Sequence, residues 1–410
     1  MNKDKNTQPE KVYIIRPVFG KEDEDDSEIA ALAESAGASV LKIKRQTIRE
    51  INPATFIGAG KLEEIREELA ETDANLIVFD GELSPSQTLN IRDFLGIKTI
   101  DRTTLILDIF ALSAKSAEGK LQVELAQLKY IYPRLRGKGA GLSQQGGGIG
   151  TRGPGETQLE TDRRHIRRRI DFLENALSDM EKRRSLQSAR RKKNNVKSVA
   201  LVGYTNTGKS TLLNALTGAG VLAENRLFAT LDPTLRRLRV SCGEIVLADT
   251  VGFVKNIPHS LIEAFKSTLE TAVDADLVLI VCDARGDWET QLKTTEETLR
   301  EIGAESPKLV VFNKCDGLSD FSAYPKDAVF ISALRGIGLE SLMKKIDAFF
   351  ADFYVKIEEN VSFAVYGALM KSGEFRPLIR AEFTDENVKI SASVPKESYF
   401  KFKRLLGQTG

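Results

Sequence analysis

The chain has 410 residues, with 59 lysines and arginines against 58 aspartates and glutamates, 41% hydrophobic residues and 29% charged residues. This composition is typical of a globular protein with roughly two to four domains. No apolar run approaches the roughly 18 residues that a membrane span requires, and the polar N-terminus does not resemble a secretory signal. Three cysteines without CxxC spacing and two histidines disfavour a disulfide framework, a zinc site and a His-dependent hydrolytic triad. We therefore expect a cytoplasmic protein, with peripheral membrane association left open.

The first hundred residues are predicted to form a small α/β unit. Apolar runs at 11–20 and 75–80 indicate buried strands, and helical spacing covers 26–36 and 60–71. The sequence FIGAGK at 56–61 looks like a phosphate-binding loop but lacks its spacing and its Ser or Thr. It is better interpreted as a turn before the second helix.

A glycine-rich stretch at 137–155 lies between two predicted helices. The first helix runs from Thr103 to Arg134 with a break near Gly119, and the second covers 159–193 and carries twelve basic against six acidic side chains. The stretch has almost no apolar side chains to bury, so it cannot offset the entropy lost on ordering without a binding partner. Small residues fit tight RNA grooves and cations displace counterions from phosphate, which favours RNA binding over a merely solvated face. The candidate RNA-binding residues are Arg136, Lys138, Arg152, Arg163, Arg164, Arg167 and Arg168.

An internal ion pair is the alternative for two of these arginines. Arg167 and Arg168 could face the acidic segment near Asp23 instead of RNA.

A second α/β domain is predicted from the strand at 198–203 to about Phe350. Strands alternate with helical stretches along this part of the chain, which favours a mostly parallel, doubly wound sheet. The remaining residues, 351–410, are predicted to form a small α+β domain.

A phosphate-binding loop follows the first strand of this domain. Its residues match the pattern GxxxxGK[ST], in which backbone N–H groups surround phosphate. In this pattern Lys209 reaches the β- and γ-phosphate oxygens and Ser210 binds Mg²⁺. The candidate residues of the loop are Gly203, Tyr204, Thr205, Asn206, Thr207, Gly208, Lys209, Ser210 and Thr211.

Further motifs close three later strands, where open α/β sheets bind ligands. Asp249 can hold the Mg²⁺ shell, and the Gly252 N–H can meet the γ-phosphate. In Asn313-Lys314-Cys315-Asp316 the carboxylate of Asp316 can accept both N1–H and the 2-amino group of guanine. Adenine has no 2-amino group and no hydrogen on N1, so the motif predicts binding of GTP rather than ATP. Asn313 would brace the loop, Lys314 would lie along the base, and Ser332, Ala333 and Leu334 would complete the base site through the Ala333 N–H.

This ordered set resembles the translation-factor-like P-loop GTPases. The resemblance implies a threonine that folds over Mg²⁺ and the γ-phosphate, which matches Thr230 best, with Thr234 as the alternative. Phe253 stands where the Ras-like pattern has a water-positioning glutamine, so intrinsic hydrolysis should be slow. Asn206 resembles the asparagine of K⁺-binding GTPases, although an ordinary loop asparagine is the alternative. The expected catalytic residues are Lys209, Thr230, Gly252 and Asn206, and the expected Mg²⁺ ligands are Ser210, Thr230 and Asp249.

The flanking sequences resemble one particular family. LSPSQTLNIRDFLGIKTIDRTTLILDIFALSAKSAEGKLQVELAQLKYIYPRLRG, GIGTRGPGETQLETDRRHIRRRI and LFATLDPTLRRL closely resemble the ribosome-associated GTPases called HflX. The resemblance covers about 50 to 350. It implies GTP-dependent binding to the large ribosomal subunit and separation of stalled or idle 70S particles, often under stress. It also implies that the glycine-rich loop reaches the peptidyl-transferase region of the RNA.

We therefore expect an N-terminal α/β unit with a long two-helix arm, a doubly wound P-loop GTPase domain and a small C-terminal α+β domain. The expected partners are GTP or GDP, Mg²⁺, K⁺, and rRNA and proteins of the large subunit, bound by a monomer. The alternatives are a GTPase for ribosome assembly or RNA modification, and a nucleotide-dependent ribosome-silencing factor. The predicted domain ranges are 1–105, 106–193, 194–350 and 351–410.

Overall fold

The chain forms two compact units in the computed structural model. Unit 1 comprises Met1–Lys182, Glu224–Asp232 and Val254–Thr268, and unit 2 comprises Arg183–Ala223, Pro233–Phe253 and Leu269–Gly410. The structure describes residues 9–20, 25–137, 154–193, 196–218, 220, 226–229, 231–255, 258, 261, 270–373 and 375–407.

Unit 1 contains a four-stranded parallel sheet in the order β2-β1-β3-β4. Tyr13 and Ile15 alternate on one face of the sheet and pack with Ile65 and Ile91 of two helices, as the apolar spacing predicts. Helix α3 begins at a capping box, in which the Ser84 hydroxyl accepts the Gln87 N–H. The elements are β1 Lys11–Val18, α1 Ser27–Ser35, β2 Ser39–Thr47, α2 Ala59–Ala70, β3 Leu76–Phe79, α3 Pro85–Leu95 and β4 Lys98–Asp101. The turn predicted at 56–61 precedes α2, and Phe56 has a φ of 65° there.

The helix predicted from Thr103 to Arg134 is two helices, α4 Arg102–Ser113 and α5 Ala117–Ile131, followed by a 3-10 turn at Tyr132–Gly137. The predicted break exists but lies at Ala114–Ser116, three to five residues before Gly119. The backbone is extended at Ala114, which ends α4. Ser116 then caps α5, because its hydroxyl accepts the Gly119 N–H at 2.8 Å. Gly119 lies inside α5.

The second arm helix, α6, spans Pro154–Lys193, five residues longer at its start than predicted. Proline suits this first position because its missing N–H would have no helical partner there. Two ion pairs connect α5 and α6: Arg169 binds Glu124 through two nitrogens at 2.6 and 2.8 Å, and Lys129 binds Glu174 at 2.7 Å. No helix of the described residues is long and apolar enough to cross a membrane.

Ion pairs fill the carboxyl edge of the unit 1 sheet. Arg16 contacts Asp26 at 2.5 Å, and Arg102 contacts Asp80 at 2.6 Å. Arg134, at the end of the arm, donates to Asp101 at 3.3 Å and lies over the Tyr130 ring. The Arg134 guanidinium is therefore engaged within unit 1.

Unit 2 contains a six-stranded sheet in the order β10-β9-β8-β5-β7-β6. The strands are parallel except β6, which pairs antiparallel with β7 at one edge. Leu212 and Leu213 of one helix and Ile346 of another pack on the apolar side chains of the central strands. The elements are β5 Ser198–Val202, α7 Lys209–Thr217, β6 Thr234–Val240, β7 Gly243–Asp249, β8 Leu277–Asp283, α8 Trp288–Glu301, β9 Lys308–Asn313, β10 Val329–Phe330 and α9 Leu339–Ala351.

The C-terminal part of unit 2 is α+β. A three-stranded antiparallel sheet in the order β11-β13-β12 packs with two helices around Leu369, Phe375 and Phe402. The sequence FAVYGAL forms a helix, because Ser362 caps its first turn. The elements are β11 Tyr354–Val361, α10 Phe363–Lys371, β12 Ile379–Phe383, β13 Val388–Pro395 and α11 Tyr399–Leu405. The proposed four-domain division stays a proposal, and its border at 105/106 falls inside α4.

Candidate functional site

The phosphate-binding loop connects β5 to α7, and its shape requires glycine at two positions. Gly203 and Gly208 have φ values of 150° and 89°. A Cβ atom at Gly203 would lie 2.2 Å from the carbonyl oxygen of Val281, and one at Gly208 would lie 2.3 Å from Asn313 Nδ2. No other residue type fits either position without moving a neighbouring strand or the base loop.

Lys209, the first residue of α7, is buried beneath this loop. Its Nζ donates to the carbonyl oxygens of Gly203 and Tyr204 at 3.0 and 2.7 Å, so the side chain crosses the loop from below. Burial lowers the pKa of Lys209 to about 8, while the nearby Asp249 carboxylate acts in the opposite direction. A desolvated ammonium at a helix N-terminus is a strong partner for phosphate oxygens.

Ser210 and Asp249 form a pair of hard oxygen donors beside Lys209. The Ser210 hydroxyl donates to Asp249 Oδ2 at 2.6 Å, and Asp249 is fully buried at the end of β7. Thr250 fixes this strand end by donating its hydroxyl to the Leu201 carbonyl at 2.7 Å. A hydroxyl and a carboxylate suit Mg²⁺, which takes few protein ligands and completes its shell with phosphate and water. The described residues contain no separate cluster of three or more His, Cys, Asp or Glu side chains that could hold a metal.

The segment after Asp249 packs directly on the phosphate-binding loop. Thr205 N donates to the Phe253 carbonyl at 2.7 Å, and Phe253 N donates to the Gly203 carbonyl at 3.1 Å. A Cβ atom at Gly252 would lie 2.8 Å from Thr205 Cα, so only glycine permits this approach. The Phe253 side chain is 2% exposed and belongs to the core. It therefore contributes no polar group to the site.

Asn313 connects three loops at the end of β9. Its Nδ2 donates to the Thr207 carbonyl at 2.8 Å, and its Oδ1 accepts the Ala333 N–H at 2.9 Å. The side chain is buried, so both bonds are made away from water. Because the Ala333 N–H already serves Asn313, a guanine O6 at this position would have to share that donor.

Lys314 and Asp316 border the expected base site. Lys314 has a φ of 63°, and its Nζ donates to the Asn206 carbonyl at 2.8 Å and to Asp283 at 2.6 Å. A hydrogen bond from the Ser332 hydroxyl lowers the pKa of Asp316, with further help from the charge of Arg335. Asp316 is thus an ionised acceptor, as the recognition of two guanine donors requires.

Sequence reasoning missed Asp283, which holds the Lys314 ammonium. Asp283 closes β8 at the same sheet edge as the motifs, and this strand-end position was the available signal. It also missed the aromatic support of the base loop. Phe312, which precedes Asn313, packs edge-on against the stacked rings of Trp288 and Tyr324 at centroid distances of 5.3 and 4.8 Å.

The structure brings the expected nucleotide residues of unit 2 together at one sheet edge. Thr211 lies in the first turn of α7, and Leu334 is 84% exposed beside Ala333. Thr230 lies outside the described residues, and the alternative Thr234 begins β6 opposite Asp249. The expected RNA-binding residues belong to unit 1, where Arg163, Arg164, Arg167 and Arg168 follow one another on α6. Lys138, Arg152 and the Arg136 side chain lie outside the described part of the chain.

Three family models match the chain in succession. They are described as the GTP-binding GTPase N-terminal region over residues 23–111, the GTP-binding GTPase middle region over 113–191, and a 50S ribosome-binding GTPase over 198–314. The first covers β2 to β4 and most of α4, the second covers α5 and most of α6, and the third runs from β5 and the phosphate-binding loop to Lys314.

Relatives named GTPase HflX match almost the whole chain. The protein of Caldanaerobacter subterraneus is 47% identical over 399 residues, which cover 95% of this chain and 92% of the relative. The Escherichia coli protein is 46% identical over 337 residues, covering 80% and 79%. A GTP-binding protein from Sulfolobus solfataricus, solved with GDP, is 27% identical and covers 84% of this chain and 99% of its own, with a TM-score of 0.45. By the three family models, by the HflX relatives and by its nucleotide motifs, the chain belongs to the HflX family of GTPases and is a GTP hydrolase.

Proposed function

We propose that this GTPase binds the large ribosomal subunit in its GTP state and separates stalled or idle 70S ribosomes under stress. The observation that carries the proposal is the combination, in one chain, of a GTPase core that matches a 50S ribosome-binding family with the cationic helix α6. Only a difference in ribosome affinity between the two nucleotide states is required for such a cycle. The protein would act as a cytoplasmic monomer, and peripheral association with membranes is compatible with this role.

The cationic face of α6 supports an RNA contact. Arg164, Arg167 and Arg168 are exposed, and among the described residues neither Arg167 nor Arg168 has a carboxylate at ion-pair distance. Arg163 and Arg167 lie over the Tyr132 ring at 5.4 and 5.9 Å. We assign this face to rRNA phosphates.

The glycine-rich stretch at 137–155 would extend this contact towards the peptidyl-transferase region. Arg136, Lys138 and Arg152 would add phosphate or base contacts there. Glycine permits close backbone approach to RNA, and each cation adds a phosphate contact.

The nucleotide chemistry follows from the site geometry. Lys209 would exchange its two carbonyl partners for β- and γ-phosphate oxygens. Ser210 and Asp249 would hold Mg²⁺ together with Thr230, and the ion would neutralise charge on the phosphates when bound. The Gly252 N–H would donate to the γ-phosphate, while Asp316 accepts from guanine.

Intrinsic hydrolysis should be slow and ribosome-stimulated. The Phe253 side chain lies in the core, so it cannot orient the attacking water. Adding purified 50S subunits should therefore raise the GTP turnover number well above that of the protein alone. Equal turnover with and without subunits would contradict ribosome stimulation.

Asn206 would hold K⁺ beside the phosphates. The residue is exposed on the phosphate-binding loop with a φ of 60°, and its carbonyl is fixed by Lys314. A cation there would supply positive charge during phosphoryl transfer. Replacing K⁺ with Na⁺ should lower the hydrolysis rate in wild type but not in Asn206→Ala. Equal wild-type rates in the two salts would leave Asn206 as an ordinary loop residue.

Sedimentation of purified 70S ribosomes with the protein tests the central proposal. With GTP or a non-hydrolysable analogue, the 70S peak should fall and free 50S and 30S subunits should rise, while GDP leaves 70S intact. Unchanged 70S with bound protein would indicate a silencing factor. Immature particles in cells lacking the protein, without splitting of purified 70S, would indicate an assembly role.

Two variants locate the ribosome contact. Deletion of 141–152 should abolish splitting and leave intrinsic GTP hydrolysis near the wild-type rate. Reversing the charges of Arg167 and Arg168 should weaken ribosome binding and reduce its salt slope by about one per lost phosphate contact. The matched control reverses Lys61 and Arg66 on α2, two exposed cations of the same unit outside the arm. Earlier melting with an unchanged slope for the arm variant would assign its arginines to internal ion pairs.

A further inference from the structure

We propose that unit 2 binds a phosphorylated sugar in a cavity between the β6–β7 hairpin and the C-terminal three-stranded sheet. The cavity has a volume of about 990 Å³, at the upper end of the range of roughly 300–1,000 Å³ found for small-molecule sites. Gly243, the first residue of β7, lines it, whereas Asp249 ends the same strand at the nucleotide site. These two ends of the strand are about 20 Å apart. The cavity is therefore separate from the GTP site.

The floor of the cavity is one face of β13, the central strand of the C-terminal sheet. Ile390, Ala392 and Val394 belong to the apolar core on the other face. Because side chains alternate along a strand, Ser391 and Ser393 lie on the cavity face, and both line the cavity. Their short side chains leave the space above the strand open and present two hydroxyl groups to it.

A cation lies beside each of these serines. Lys356 of β11 is the cross-strand partner of Ser393, and Arg380 of β12 is the cross-strand partner of Ser391. Directly opposed residues have Cβ atoms about 5 Å apart, and β11 and β12 flank β13 at about 10 Å from each other. Both long side chains line the same cavity, so they can reach one anionic group above the serines. An ammonium and a planar guanidinium are the usual protein partners of phosphate.

These two cations lack a counter-ion within the described part of the chain. Neither Lys356 nor Arg380 has a described carboxylate at ion-pair distance. Arg239, which also lines the cavity, contacts Glu244 at 3.8 Å. A bound phosphate would therefore supply the negative charge that Lys356 and Arg380 do not receive from these residues.

The other groups of the cavity suit a body rich in hydroxyls. Glu358 lines the cavity and is the second cross-strand partner of Ser391, so a carboxylate acceptor lies beside the serine hydroxyls. Tyr354 and Leu378 add apolar surface, which suits the C–H face of a sugar ring. Hydroxyl, carboxylate and apolar groups beside two cations favour a sugar phosphate over inorganic phosphate.

Both walls of the cavity are fixed to the GTPase core. At the turn of the hairpin, the Ser241 N–H donates to Asp347 of α9 at 2.7 Å. Tyr354, the first residue of β11, packs against the same apolar core that contains Cys242 and Phe350. The cavity therefore exists without a ligand, which lowers the cost of binding one. Its lining comes from the hairpin and from all three strands, an arrangement that favours a small molecule over an extended RNA strand.

Calorimetry on the full chain saturated with Mg²⁺ and GDP tests the proposal. Saturation occupies the phosphate-binding loop, so that added phosphate compounds cannot bind there. The probes are phosphates of ribose, glucose and fructose, the three free sugars, inorganic phosphate and a short oligouridine. At least one sugar phosphate should bind with a dissociation constant of about 1 mM or lower, and its free sugar and inorganic phosphate at least about tenfold more weakly.

Two surface variants and one cavity-filling variant locate the site. Lys356→Met and Arg380→Met should each weaken the binding of the sugar phosphate about tenfold or more, because each removes a charged hydrogen-bond donor. Ser393→Leu should abolish it by filling the floor of the cavity. The matched control is Lys389→Met, which changes an exposed cation on the same face of β13 outside the cavity. Lys356 and Arg380 are exposed, so these two variants should fold and bind GDP as wild type does.

Hydrogen exchange gives a second readout of the position. The bound sugar phosphate should slow exchange at 239–244 in the hairpin and leave exchange in β9 unchanged. Absence of binding by every sugar phosphate, or equal weakening by Lys389→Met and Arg380→Met, would overturn the proposal. Inorganic phosphate binding as tightly as the sugar phosphates would overturn it too, since the sugar would then contribute nothing.

Binding of oligouridine alone, lost in Arg380→Met, would assign this face to RNA and overturn the sugar phosphate site. All these measurements are made without ribosomes and with GDP bound. Their outcome is therefore independent of whether the protein separates 70S ribosomes.

Discussion

The nucleotide loops of unit 2 and the segment Glu224–Asp232 of unit 1 are held in different ways. The loops brace one another through short motifs, as when Asn313 connects Thr207 to Ala333. The segment is held by partners over a hundred residues away in sequence, at Ser35 and Ser116. Asn313 and Thr207 are 106 residues apart, so both regions depend on long-range contacts. The partners of the nucleotide loops are themselves motif residues, whereas Ser35 and Ser116 belong to no nucleotide motif.

Replacing the base-reading carboxylate should cause the largest change. In Asp316→Asn, an amide replaces the carboxylate that accepts from the guanine donors. The N–H of this amide can donate to the 2-oxo group of xanthine instead. Selectivity for guanosine over xanthosine diphosphate should fall by up to about 10⁴-fold in a competition titration. An unchanged preference for guanosine would remove Asp316 from base recognition.

Unit 1 should be most sensitive to loss of Arg102. This buried guanidinium donates to Asp80, to Glu28 and to the Lys255 carbonyl at 3.0 Å. Arg102→Met would remove the ion-pair partner of Glu28 and leave Asp80 with only Arg16 at 3.7 Å, at a cost of about 3–5 kcal/mol in the free energy of unfolding. Urea denaturation followed by hydrogen exchange on β3 measures the loss. The exposed Arg92→Met is the control, and equal effects of the two substitutions would contradict this account of Arg102.

Loss of the Asn313 side chain should weaken nucleotide binding and leave the folding of unit 1 unchanged. Asn313→Ala leaves the Thr207 carbonyl and the Ala333 N–H without their partner, a loss of about 2–3 kcal/mol in binding. The GDP dissociation constant should rise roughly 30- to 150-fold by calorimetry. Asn175→Ala on α6, which removes a hydrogen bond to the same helix, should leave it unchanged. A rise below threefold for Asn313→Ala would show that the loops hold their shape without it.

The smallest effect should come from Glu68, which lies in unit 1 away from the segment Glu224–Asp232. Hydrogen bonds from Lys42 and Lys44 lower the pKa of Glu68 to about 2. Because the folded pKa lies below the unfolded value of 4.5, this stabilisation is complete above pH 4.5 and is lost as the pH falls towards 2. Glu68→Gln should cost about 1–2 kcal/mol at neutral pH and flatten the acid limb of the stability curve. It should not slow GTP hydrolysis, and a slowing would mean that a loss of stability in unit 1 is enough to impair catalysis.

The sequence predicted the nucleotide loops because their spacing is set by local geometry. Glycines at 203 and 208 and the strand ends at Asp249 and Asn313 are readable without knowing any distant contact. The helix break was misplaced at Gly119 because glycine usually marks a break. Here Gly119 lies within α5, where a Cβ atom would come within 2.4 Å of Asp232 Oδ1. The use of the Ala333 N–H by Asn313 and the bonds of Arg134 to Leu83 and Asp101 join residues 20 to 51 positions apart in sequence. Such contacts exist only in the folded chain, so composition and periodicity do not reveal them.

The most direct test of the account couples ribosome binding to the nucleotide site. Asp316→Asn protein is sedimented with purified 50S subunits in the presence of GTP, GDP, or xanthosine tri- or diphosphate. The account predicts that the variant pellets with 50S in xanthosine triphosphate and stays in the supernatant with the other three nucleotides, while wild type pellets in GTP only. Pelleting of the variant regardless of nucleotide, or wild-type binding that is equal in GTP and GDP, would contradict a GTP-controlled ribosome interaction.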